Sequence, residues 1–365
     1  MSNDNTTHVG TLFNINRNYK DRQCMFGEGL GIYDAINRKD TTYYDLYQRN
    51  AAQFWSSTEF DFSPCKKEFA KGDTAAQAMI DVISYQLEAD SVAAMAILPV
   101  LAPFITNNDL FQLLSWVTMI EQTHSDSYAL IVRNSFDKPD EVLDTIIANQ
   151  EATKRLGLIT RTMDEVFEVS HKYALGMMTK EEAFPYAYKG VVALALLEKL
   201  QFLASFAITF ALGNAGMFQP IALCVRKIAN DELLHGEGDL LIARDMRTLP
   251  YWEKTNTPEF QEEIKAMIDE AVEGEMAWTD FVFRDNSSLV GVTPNQIKEY
   301  VNYLAQVIYK ELGFTPPVKV KENPIKWIEF WMSNAQLQTA NQEIEAVNYN
   351  MAAIQDDSAE AEFDF

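Results

Sequence analysis

Along most of this chain the apolar residues recur at helical rather than strand spacing, and sustained two-residue alternation with β-branched residues is almost absent. A first helix is predicted roughly from Thr41 to Phe54, ending near Trp55, and Ser56 to Gly72 reads as a connection. Asp73 can cap a long helix through Asp90 toward Pro99, and Asn108 another through Glu121, His124 and Tyr128 to about Asn134. Pro139 and Asp140 open a third, which includes His171. Lys180 to Asn214 reads as one apolar helix bent where Pro185 interrupts it, and Pro220 starts the helix carrying Asp231, Glu232 and His235. Thr257-Pro258 and Thr293-Pro294 have the form of an N-cap followed by an N1 proline and begin two more.

The ends differ from this pattern. Residues 1–35 are polar and punctuated by Gly27, Gly29 and Gly31, as expected of a surface arm, and beyond about Gln336 the chain turns polar and acidic, as expected of a mobile tail. The expected organisation is therefore an arm over 1–35, one helical domain over 36–335 and a tail over 336–365. No Pro/Gly/Ser-rich linker divides the middle, and 47% apolar residues with 22 Phe, 15 Tyr and 14 Met are ample to fill a bundle of about eight long helices.

Composition narrows the partners. A net charge of −23 argues against nucleic acid, whose phosphates need clustered Lys and Arg. The stretch Val191 to Leu212 approaches the length of a membrane span, but Glu198, Lys199 and Gln201 sit near its middle, so it reads as a buried core helix and no membrane is expected. The polar first ten residues lack the apolar run of a signal peptide, and Cys24, Cys65 and Cys224 form no CxxC pair. A cytoplasmic protein is the expectation.

The candidate chemistry lies in two strings, Glu121-Gln-Thr-His124 and Glu232-Leu-Leu-His235. Residues three apart share a helix face, so each string can offer one metal ion a carboxylate and an imidazole. A single such pair is most simply a core histidine satisfied by a neighbouring acid. Its repetition on two distant apolar helices favours two metals. Glu198, among Ala, Leu, Phe and Ile, and Asp90, ahead of an apolar stretch, have little solvated face to occupy and supply the further carboxylates. Asp90, Glu121, His124, Glu198, Glu232 and His235 then make the donor set of a ferritin-like, all-α di-metal protein. Oxygen donors with one nitrogen per ion suit iron or manganese better than zinc and leave positions for dioxygen. Tyr128, one turn beyond His124, would bring a phenol near the metals, with Phe202, Phe206 and Ile228 spaced to wall a pocket around it; the plainer alternative is a packed core tyrosine.

Together with Tyr85-Gln86 before Asp90-Ser91, Ser125-x-Ser127-Tyr128 leading to Arg133-Asn134, and Ala229-x-Asp231-Glu232, these residues resemble the small, radical-generating subunit of class I ribonucleotide reductase. The resemblance runs from about Phe26 to the last residue. It implies a dinuclear centre of two iron ions, with manganese or mixed Mn/Fe as alternatives, that uses dioxygen to oxidise Tyr128 to a stable radical. It implies a homodimer and a separate large subunit, where ribonucleotides lose the 2′-hydroxyl. Trp55 and Asp231 match the family's hydrogen-bonded relay from a metal-bound histidine to the surface. Tyr349 matches its interfacial redox tyrosine, with Glu343 as a proton partner. Glu362-Phe363-Asp364-Phe365 resembles the acidic, aromatic peptide that docks on the large subunit. Asn230 departs from the basic residue common in the family at that place. The rival enzyme reading is an oxygen-activating di-iron oxidase or desaturase, which would share the six ligands but need neither Trp55, Tyr349 nor the Phe365 terminus. An iron store of the same fold is a third reading, for which this chain is long.

Overall fold

The computed structural model describes residues 22–28, 32–38, 40–284, 289 and 291–332. Among these residues the regular structure is helical apart from two isolated β-bridges, Met25 with Ile105 and Leu289 with Val292. The helices are α1 (Thr42–Ala51), α2 (Lys66–Phe69), α3 (Thr74–Leu101), α4 (Asn108–Ser135), α5 (Pro139–Ile147), α6 (Gln150–Ala174), α7 (Lys180–Leu196), α8 (Leu203–Asn214), α9 (Gln219–Met246), α10 (Trp252–Thr255), α11 (Pro258–Val282), α12 (Pro294–Glu311) and α13 (Ile328–Met332). The chain divides into two compact units, Met1–Lys326 and Trp327–Phe365, and α13 belongs to the second.

Side-chain oxygens set the helix starts. Asp73 accepts from the Ala76 amide, Thr257 from Phe260 and Thr293 from Gln296, each occupying one of the donors a helix start leaves unpaired. The cap of α4 is Asn107, which accepts from Asp109 and Leu110, so Asn108 is the first helical residue rather than the cap. The helix expected from Pro139 through His171 is two, because the chain turns at Ala148 and Asn149 caps α6.

In α4 the buried positions Leu110, Leu113, Val117, Ile120, His124, Ser127 and Ile131 follow the helical repeat, with Glu121 and Tyr128 on the same face. In α9 the face is Ile221, Val225, Ile228, Glu232, His235, Asp239 and Ile242. The polar residues of interest therefore occupy places where a core stripe would carry aliphatic side chains. α3 packs along α4 and α6, and α7 along α6 and α9.

The apolar stretch behaves differently. Between α7 and α8 the residues Leu197–Phe202 form a π-helical turn, and from Val191 to Phe210 nearly every residue is buried. Pro185 lies within α7 near its start, and the departure from α-geometry comes twelve residues later, around Glu198. Such turns arise where an extra residue is accommodated in a helix and recur at functional sites. The segment is long and apolar enough to cross a membrane, yet 94% of its most apolar window is buried inside the fold. Gly236 on α9 lies against this turn, and a Cβ there would sit 3.2 Å from the Glu198 Cβ and inside the stem of Lys199. Within the expected surface arm, Cys24, Met25 and Phe26 are buried, and Phe26 packs against Phe104, Tyr173, Phe184 and Tyr251.

Candidate metal centre

Four elements deliver the predicted donors to one place. α3 brings Asp90, α4 brings Glu121 and His124, the π-turn brings Glu198, and α9 brings Glu232 and His235. They fall into two four-residue groups, Asp90, Glu121, His124 and Glu232, and Glu121, Glu198, Glu232 and His235. Within each group one donor atom per residue lies within 4.8 Å of the others. Glu121 and Glu232 belong to both, the arrangement needed for two carboxylates to bridge a pair of ions.

The distances are consistent with that geometry. His124 Nδ1 lies 3.0 Å from Glu232 Oε1 and 3.4 Å from Glu121 Oε2. His235 Nδ1 lies 2.8 Å from both Glu121 Oε1 and Glu232 Oε2. The two rings are 5.9 Å apart. All six residues are buried, and while Glu121 and Glu232 face the two imidazoles, both carboxylate oxygens of Asp90 and of Glu198 have no hydrogen-bond partner among the described residues. Unpaired carboxylates in an apolar interior are costly, and cations between them resolve that cost. Four carboxylates, two imidazoles and no thiolate suit two divalent ions of the iron or manganese kind.

Electrostatics point the same way. Burial, and then the neighbouring Glu121, hold the Asp90 carboxyl well above the usual range, and burial followed by Glu232 and Glu121 does the same to Glu198. Burial disfavours charge on both histidines, but the adjoining carboxylates outweigh it; His124 is raised well above its ordinary value and His235 to about 10. Burial likewise opposes charge on Glu232, yet the two imidazoles hold it below the usual carboxylate range. Without metal the cluster keeps protons, and divalent ions would displace them.

The outward nitrogen of His124 is held. Its Nε2 lies 3.1 Å from Asp231 Oδ2, and the same oxygen accepts a 2.7 Å hydrogen bond from Trp55 Nε1. The Trp55 ring lies nearly parallel to His124 with centroids 5.9 Å apart. Trp55, at the end of the connection from α1, is 1% exposed. A carboxylate behind a ligating histidine fixes its tautomer and orientation.

Tyr128 is fully buried and its Oη has no hydrogen-bond partner among the described residues. Burial raises its phenol well above the ordinary value, and Asp90 is the largest charged contributor after that, which places the phenol in the field of the first donor group. Phe202, Phe206 and Ile228 are fully buried, and Phe202 and Phe206 stack at 5.6 Å. Asn230 is buried and donates to the Arg226 carbonyl of its own helix. Glu343, Tyr349, Phe363 and Phe365 lie outside the described residues.

Spacing did not reveal everything near the centre. Asp239, one turn beyond His235, shares a small cavity with His235 and Glu198, and burial raises its carboxyl to about 8. Lys199 beside Glu198 is largely buried and donates to the Leu233 carbonyl. Asp239 lies in a helix rich in acids and bases, so its position carried no signal, and Lys199 counted in the sequence only as a charge inside an apolar stretch.

A family model described as "Ribonucleotide reductase, small chain" matches residues 34–324. The ribonucleoside-diphosphate reductase subunit beta of Haemophilus influenzae is 27% identical over 362 residues, covering 94% of this chain and 96% of that protein. Ribonucleoside-diphosphate reductase 1 subunit beta of Escherichia coli shows the same identity and coverage. Among solved structures, a ribonucleotide reductase subunit from Clostridium botulinum superposes with a TM-score of 0.78 at 19% identity, covering 89% of this chain and 98% of that one. The dimanganese(II)-NrdF of Streptococcus sanguinis gives 0.64 at 17% identity, covering 83% and 100%. These likenesses establish the all-α, ferritin-like fold.

Proposed function

The chain belongs to the ribonucleotide reductase small-chain family, and from that premise we propose that it is the radical-generating subunit of a class I enzyme. It is an oxidoreductase subunit whose partner is a separate large subunit, where ribonucleotides become deoxyribonucleotides. The observation that carries the reading is the pair of buried donor groups sharing Glu121 and Glu232. Asp90 and His124 would complete the ligands of one ion, and Glu198 and His235 those of the other. Two iron ions are the proposed cofactor, manganese or a mixed Mn/Fe pair being compatible with the same donors. When bound, the metal pair would supply, with dioxygen as the electron acceptor, the oxidising power for a one-electron oxidation, and Tyr128 is the residue we assign to carry the resulting radical.

The chain's own residues do the rest. Burial among apolar side chains keeps water and reductants from the Tyr128 phenol, so that an oxidised tyrosine persists. Asp231 orients His124 through Nε2 and holds the indole of Trp55 by its N–H, giving a buried, hydrogen-bonded line leading away from the first ion. We assign Trp55 and Asp231 to radical transfer, continued by Tyr349 with Glu343 as proton partner. Phe363 and Phe365 are assigned to docking on the large subunit. The working organisation is a metal domain over 36–335, an arm over 1–35 and a docking tail over 336–365, in a cytoplasmic homodimer.

The test is electron paramagnetic resonance on protein loaded anaerobically with Fe(II) and then exposed to air, beside Tyr128→Phe. A tyrosyl signal coupled to a di-iron centre, absent from the variant while both metals still bind, is expected. A signal that survives in Tyr128→Phe would refute the assignment of the radical; metal uptake with no radical in either protein would move the cofactor to manganese.

A further inference from the structure

The Glu198 donor sits on a turn held by contacts outside the metal site. Within the π-turn Leu197–Phe202, the Gln201 backbone carbonyl accepts a 2.7 Å hydrogen bond from Arg155 Nη2 on α6. The Gln201 side chain answers, its Nε2 donating to the Arg155 carbonyl at 3.1 Å, and its Oε1 accepts from Tyr85 Oη on α3 at 3.1 Å. Arg155 is in turn gripped by Glu275 on α11 through two bonds of 2.6 Å, Nε to Oε1 and Nη2 to Oε2. The guanidinium lies 3.5 Å from the centroid of the Tyr85 ring and 4.9 Å from that of Trp278. Two helices, α3 and α6, therefore bond one residue of the turn, three residues beyond Glu198, and α11 braces the arginine that does so.

This arrangement is expensive for a purely structural feature. The Arg155 and Glu275 side chains are each 1% exposed. A buried ion pair can often be exchanged for apolar side chains at no loss of stability, because desolvation offsets the attraction. What apolar side chains cannot do is bind a backbone carbonyl. The forked guanidinium donates to a backbone carbonyl inside the π-turn, tying the turn's main chain to α6, while Glu275 fixes its plane.

We propose that Arg155, oriented by Glu275, is a positioning residue that holds the π-turn in register and thereby sets Glu198 as a ligand of the second ion. The proposal rests on the di-metal reading above. Glu198 belongs only to the group with His235, so the effect should fall on one ion of the two.

The test uses the full-length protein and Mn(II) alone as probe. Arg155→Met leaves Glu275 buried without a partner, so the decisive variant is the double replacement Arg155→Met with Glu275→Leu, which removes both charges together. Wild type is expected to take up two Mn(II) per chain as a magnetically coupled pair. In the double variant the second ion should bind about 10- to 100-fold more weakly, the usual cost of losing support behind a ligand. One equivalent of Mn(II) should then give an uncoupled six-line spectrum, and amide hydrogen exchange over 197–203 should quicken in the metal-free protein. Arg155→Lys, which keeps the charge and loses the fork, should fall between. Unchanged exchange and an unchanged coupled pair in the double variant would overturn the proposal. So would equal weakening of both ions with faster exchange throughout, the sign of general loosening. If wild type itself bound no pair, the di-metal reading would fall, while exchange at the turn would still decide whether Arg155 holds it.

Discussion

Trp55→Phe separates transfer of the radical from its formation. The phenyl ring keeps most of the packing but has no N–H, so Asp231 Oδ2 loses a 2.7 Å donor while retaining His124 at 3.1 Å. Leaving part of a buried acceptor unpaired costs about 1–3 kcal/mol, and the space left by the missing ring adds on the order of 1 kcal/mol. These terms fall on the fold whether or not metal is bound, because Trp55 is not itself a donor and meets His124 through Asp231 and by ring contact on its outward side. Metal affinity should therefore drop by no more than about tenfold, the lower end for a lost outer partner. If the indole lies on the transfer route, turnover with the large subunit should fall by about 100-fold or more, equivalent to roughly 2.7 kcal/mol of barrier.

Three measurements on one preparation separate these effects: calorimetry for stability, paramagnetic resonance for radical yield, and turnover with the large subunit added. The expected pattern is modest destabilisation, a full tyrosyl signal and lost turnover. Turnover close to wild type with an intact radical would refute the relay. Parallel loss of metal, radical and turnover would show that Trp55 only supports the site.

Metal loading should release protons. The Asp90 and Glu198 carboxyls and both imidazoles are raised in the folded protein, so divalent-ion affinity should strengthen as pH rises, with protons counted by titration in buffers of different ionisation enthalpy. The sign for metal-free stability is opposite. The contribution of His235 is complete below its unfolded value near 6.5 and is lost as pH rises through about 10, so metal-free melting temperatures should decline over that window and metal should remove the decline. Removing residues 346–365 should leave the tyrosyl signal intact and abolish turnover with the large subunit; a truncated chain that turned over normally would refute the docking assignment.

The six donors were legible because they break a pattern. A carboxylate or imidazole on a face that otherwise repeats Leu, Val and Ile has no solvent to meet, and two such breaks of identical spacing on α4 and α9 point to one shared cause. Caps were legible for the same local reason, with an error of one residue at Asn107, where two asparagines stand side by side. The relay was not. Trp55 and Asp231 are 176 residues apart, and only family resemblance joined them before the fold did. The π-turn was invisible because hydrogen-bond register leaves no trace in side-chain order; Glu198 stood out as a buried acid, but the departure from regular helix was expected at Pro185. The burial of Phe26 was hidden by the glycines around it.

These features also give the two halves of the proposed centre different work. The group containing Asp90 and His124 faces both the Tyr128 phenol, through the charge of Asp90, and the outward line to Asp231 and Trp55. Glu198 and His235, the donors particular to the second group, take no part in the hydrogen bonds of that line. Glu198 is carried instead on a helix segment with non-standard register, fastened from behind by Arg155 and packed against α9 at Gly236, where a Cβ would meet the Lys199 stem. A carboxylate that must accommodate changes in the coordination of its ion is better carried on such a segment than on a regular α-turn, whose backbone bonds resist displacement. Rigidity on the His124 side and an independently fastened turn on the Glu198 side are what a centre needs if it is to be remodelled by its oxidant while the exit path for the electron keeps its geometry.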